Sequence, residues 1–76
     1  MLKLVKTTAT DMRAMARAIG GQALDTTARD RLFKRAGQCS PAMRVVVHRL
    51  IARATEIAGQ DPSAYRAAAD DALARL

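Results

Sequence analysis

The chain is poor in large aromatic side chains, with one Phe, one Tyr and no Trp in 76 residues. Those are the side chains that usually dominate burial, so any core must be assembled from smaller ones. Hydrophobic residues make up 50% of the chain, yet 17 of them are alanines. Alanine lets helices approach closely but buries little area, at roughly 25 cal/mol per Å² of apolar surface. A chain of this length lies near the lower limit for a self-sufficient core. The expectation is one small domain of marginal stability, reinforced by a partner or by a second copy in a homodimer.

Reactive groups are equally scarce. A lone cysteine, Cys39, excludes an internal disulfide and fits a reducing, cytoplasmic setting. The only histidine, His48, follows nine positions later. Along a helix that spacing separates the two by roughly 12 Å or more, too far for a nucleophile and its base. Two such ligands also fall short of the four of a structural zinc site. Asp70 and Asp71 are adjacent, so on a helix they diverge by about 100° and form no facing dyad. Gly20-Gly21 follows a helical pattern rather than a strand, so it is no phosphate-binding loop. These absences predict a non-enzymatic protein with no catalytic residue, cofactor or metal. No apolar run approaches the ~20 residues of a membrane span, and the apolar step in Met1–Lys6 is too short for a signal-peptide core. No membrane partner is expected.

What the chain does have is positive charge: net +6, with a pI near 10.8. The excess is +5 over residues 1–38, +2 over 39–58 and −1 over 59–76. A basic surface attracts nucleic acid, anionic membrane or an acidic protein. Interfacial membrane binding is the least expected of these, because the apolar faces lack the Trp, Phe and clustered Leu that it uses.

Helix signals divide the chain into four. Leu2, Leu4 and Val5 alternate roughly with Lys3 and Lys6 and suggest a short N-terminal arm, extended or helical. Thr8 and Asp11 have capping-box spacing before a helix over 9–19, which Gly20-Gly21 ends; Met12, Met15, Ala16 and Ile19 would face inward. Asp25 to Thr27 offer the next cap, for a helix over 27–36 with Ala28, Leu32, Phe33 and Ala36 inward. Ser40-Pro41 is a strong start for a long helix over 41–58. Asp61-Pro62 repeats that logic for a helix over 62–75, with Tyr65, Ala68, Ala69, Ala72, Leu73 and Leu76 on one stripe. The third helix carries the widest apolar face: Met43, Val46, Val47, Leu50, Ile51, Ala54, Ile57 and Ala58. The expected fold is therefore all-α, a small compact bundle of four helices around a central third.

On the opposite side of the third helix the pattern places Arg44, His48, Arg49 and Arg53, with Val45 among them. Together with Arg31, Lys34 and Arg35 on the second helix, they form the candidate binding surface. Leu32, Ala36, Gly37, Met43 and Val46 fall where a DNA-binding helix-turn-helix keeps its inner apolar residues and turn glycine. This pair of helices resembles that motif over about twenty residues. The resemblance implies that Ser40, Arg44, Val45 and His48 face a major groove, Arg reading guanine and Val45 meeting a thymine methyl. Phe33 stands where a small residue would let the helices approach, Gln38 replaces an apolar turn residue, and the third helix is longer than a typical reading helix. Arg29 falls on the apolar side of the second helix, its stem covering Phe33 with its head in water, or its head awaiting a carboxylate or phosphate. The first functional expectation is a small, dimeric, DNA-binding regulator. The alternative is an inhibitor or adaptor, of the size found in phages and other mobile elements, that docks its basic face on an acidic protein.

Overall fold

A computed structural model describes residues 9–76, and within them the chain is all-helical. The helices are α1 (Ala9–Ile19), α2 (Thr26–Ala36), α3 (Pro41–Ile57) and α4 (Ser63–Ala74). α3 is central: α1, α2 and α4 each pack on it, and α1 also packs on α2. The N-terminal arm expected over residues 1–8 lies outside the described residues.

The ends of the helices follow local chemistry. The Asp25 side chain accepts from Ala28 N–H at 2.7 Å, so α2 begins one residue earlier than Thr27. Ser40 accepts from Met43 N–H at 3.3 Å, with Pro41 in the first turn of α3, where its missing N–H costs nothing. Asp61 accepts from both the N–H and the hydroxyl of Ser63. Gly21 and Gly59 end α1 and α3 with φ of 83° and 78°, a left-handed conformation costly for any residue with a Cβ.

Leu24, Leu32, Ala36, Val47, Ile51 and Ala54 join Ala14 and Ala18 in one buried cluster. Two helices are rotated relative to the sequence pattern. On α3 the buried residues are Val45, Val47, His48, Ile51, Ala52, Ala54 and Thr55, close to half of the helix circumference at 100° per residue. Val46 and Ile57, expected inside, are exposed, and Val45 and His48, expected outside, are buried. The cause is α4. Its own buried residues are only Ala69 and Ala72, so its backbone comes close to α3 and covers the side that carries Val45, His48 and Ala52. Leu73 and Leu76, expected on the α4 stripe, are exposed.

On α1 the buried residues are Asp11, Ala14 and Ala18, while Met12, Ala16 and Ile19 are exposed and Met15 is half-buried. Asp11 is the anchor: its carboxylate accepts from Arg35 Nε at 3.2 Å, and that ion pair turns the alanine side of α1 inward. A carboxylate buried without such a partner would be costly, so the pair rather than the methionine stripe sets the rotation.

Candidate docking face

Where the sequence-derived site residues fall decides what they can contact. Ser40 is spent on the α3 cap. Arg44 is half-buried, and its Nε donates to the Cys39 carbonyl at 3.2 Å, so it closes the α2–α3 turn. Cys39 is buried, with its thiol 3.3 Å from the Arg35 carbonyl. Arg35 faces Asp11 rather than open solvent. Val45 and His48 are 8% and 6% exposed. The four residues that would read a major groove are thus not presented together, and Val46, a supposed inner position of the same motif, is 39% exposed. α4 occupies the side of α3 that DNA would have to approach.

His48 lies at a three-helix junction. Its ring centroid is 5.1 Å from that of Phe33 on α2, and Phe33 meets Tyr65 of α4 edge-on at 5.7 Å. Phe33 forms the partly exposed lid of this cluster. The imidazole Nδ1 is buried without a hydrogen-bond partner. Burial lowers the His48 pKa from its ordinary 6.5, a hydrogen bond to the Ala68 backbone raises it, and the Arg44 charge lowers it; the net direction is down. With the folded pKa below the unfolded one, the unfolded chain binds more protons near pH 6. Stability contributed by neutral His48 is therefore complete above 6.5 and declines as pH falls through that value. The melting temperature should drop between about pH 7.5 and about pH 5.5, and His48→Gln should flatten that dependence.

Arg29 is the second buried polar group that the fold must explain. It is 8% exposed, its guanidinium donating to Thr55 Oγ1 at 3.4 Å and Thr26 Oγ1 at 3.1 Å. Thr55 in turn donates to the Ile51 carbonyl at 2.7 Å. The head turns inward to hydroxyls instead of reaching water, and Nε has no partner. Among the described residues no carboxylate neutralises it. Burying a charge without an opposite partner is costly, and an apolar side chain of similar volume removes that cost. Arg29→Met should therefore hold or raise the melting temperature; a loss of about 2 kcal/mol or more would mean that the two threonine contacts outweigh desolvation.

The open part of α3 is another set of residues. At 100° per residue, Arg49, Arg53, Val46, Ile57 and Leu50 follow one another around roughly a quarter of the helix; the first four are exposed and Leu50 is half-buried. On the side toward α4 this strip borders a recess of about 330 Å³. Buried Ala52 and Ala69 line it, with Arg49, Arg53 and Arg66 around it. Glu56 pairs with both Arg53 and Arg66, which holds two guanidiniums beside the recess. Arg49 has no ion pair among the described residues, and Asp70 also lines the recess. Arg66 escaped sequence reasoning, because its neighbourhood depends on how α4 crosses α3. A second, smaller depression of about 110 Å³ is lined by Arg31, Lys34, Arg35 and Gln38.

No group of His, Cys, Asp and Glu among the described residues could hold a metal ion, and no described helix is long and apolar enough to cross a membrane. No known protein family, curated protein or solved structure matches the chain.

Proposed function

We propose that this chain is a non-enzymatic docking protein that sets the outer face of α3 against an acidic protein surface. The observation that carries this reading is the exposure of Val46 and Ile57 beside Arg49 and Arg53. Exposed apolar side chains bordered by arginines match the composition of protein interfaces, where Arg is enriched, better than that of a purely solvated face. Affinity capture with the tagged chain, performed with and without nuclease, tests it. One stoichiometric protein that survives nuclease treatment supports the reading; recovery of nothing but nuclease-sensitive material contradicts it.

The α2 depression favours a second reading, nucleic-acid binding through phosphates rather than bases. Arg31 and Lys34 are exposed there and without ion pairs among the described residues. Arg31, Lys34 and outlying cations such as Arg13 and Arg17 would track a backbone, and a homodimer would double those contacts. Such binding must weaken steeply with salt, by a log–log slope of about −0.9 per phosphate contact on duplex DNA. On this reading Arg31→Glu lowers duplex affinity, whereas on the docking reading it leaves the protein partner bound.

A further inference from the structure

The recess between α3 and α4 and the apolar strip beside it form one two-toned surface, and we infer that it receives an acidic amphipathic helix of a partner protein. This inference rests on the docking reading above and specifies the partner's chemistry.

The shape argument comes first. Val46 to Ile57 runs about 17 Å along α3 at 1.5 Å per residue, so the strip is a straight ridge three turns long. Beside it, buried Ala52 and Ala69 leave a channel where two helices meet over small side chains. A third helix can lie along such a channel, ridges into grooves. An extended peptide pairs its backbone with a sheet edge or docks as polyproline II in an aromatic-lined groove; the described residues contain no strand, and no aromatic residue lines the recess.

Charge then selects the partner. Arg49, Arg53 and Arg66 border the recess against two carboxylates, Glu56 and Asp70. Glu56 is already shared between Arg53 and Arg66, and Arg49 has no ion pair among the described residues. A partner carboxylate seated over Ala52 and Ala69 would meet Arg49 directly, while Asp70 disfavours a second one on the α4 side. Apolar residues one turn apart on the same partner helix would cover Val46, Leu50 and Ile57. The recognised pattern is thus leucine-type residues at helical spacing, flanked on one edge by glutamate or aspartate. A highly anionic face with no apolar residues would leave Val46 and Ile57 in water.

The test uses the full chain and a fluorescent designed peptide of about 14 residues, long enough for the ridge, with a leucine stripe and a glutamate edge. Its controls are the same composition scrambled to destroy the stripe and the same stripe with lysine edges. The expected result is anisotropy binding at least about tenfold tighter than either control, lost about tenfold or more in Val46→Glu and in Arg49→Glu, with helix content unchanged by circular dichroism. Arg31→Glu, which changes the net charge as much as Arg49→Glu but on α2, should leave peptide binding unaltered. Equal binding of the scrambled peptide, or an equal loss in Arg31→Glu, overturns the inference in favour of diffuse charge attraction. Should affinity capture return a protein partner that Val46→Glu and Arg49→Glu still hold, the docking reading stands and this assignment of its surface is wrong.

Discussion

Val45→Glu is expected to destabilise the protein by roughly 2–4 kcal/mol, while Val46→Glu changes stability by no more than about 0.5 kcal/mol. The two residues are neighbours of identical type, so propensity and unfolded-state effects nearly cancel between them. What differs is the side of α3 they occupy. Val45 is buried on the face covered by α4. A carboxylate there either desolvates or levers α4 away, and both are costly. Val46 already meets water, and a glutamate beside Arg49 and Arg53 finds cations at hand. Chemical denaturation of both variants reads the difference. The amphipathic pattern alone predicts the reverse order, so a greater loss in Val46→Glu would return the core to the expected stripe.

Ile51→Ala should produce the largest loss of any single truncation on α3, about 3–4 kcal/mol. Ile51 is among the largest wholly buried side chains, together with Leu32, Val47 and Thr55. Because the chain is short of large apolar residues, the cavity has few neighbours able to relax into it. Typical stabilities of 0.05–0.15 kcal/mol per residue put the whole protein at about 4–11 kcal/mol, so this one change removes a large part of the total. The melting temperature should fall by roughly 12–32 °C. Leu50→Ala removes a similar volume from a half-buried position and should cost less than half as much. Equal losses at Leu50 and Ile51 would contradict the observed rotation of α3.

Much of this fold was legible from the chain itself. Ser40-Pro41, Asp25, Gly21 and Gly59 carry cap and stop chemistry that acts within a few residues, so the helix limits lie within one residue of expectation. The central place of the third helix also followed from its wide apolar face. Helix rotation did not follow, for a physical reason. Val45, Val46 and Val47 point in directions about 100° apart, so any rotation buries some of them. Which ones are buried depends on where α4 lies, and α4 packs through Ala69 and Ala72 while Leu73 and Leu76 of its expected stripe stay exposed. The burial of Asp11 was hidden in the same way, because its partner Arg35 is 24 positions distant.

The candidate site divides along similar lines. Arg49 and Arg53 stood out as surface cations and are exposed. Arg29 falls on the apolar side of the α2 pattern and is buried. His48 offered no such mark, since arginines flank it at 44 and 49 and a solvated face was the simplest reading. Its burial is a tertiary fact set by Phe33 and α4. The same is true of the recess, which combines α3 residues with Arg66 and Ala69 of α4, ten or more positions further along the chain.

The central claim is that α4 and Phe33 close over the His48 side of α3, leaving the Val46–Arg53–Ile57 side open for a partner. Proton NOESY spectroscopy of the free protein tests it most directly, because the aromatic protons are few and resolvable. Cross-peaks between the His48 and Phe33 rings and between Phe33 and Tyr65 are predicted from centroid separations of 5.1 and 5.7 Å. A His48 ring with no contact to Phe33, titrating at or above its ordinary 6.5 as a solvated imidazole does, would contradict the account.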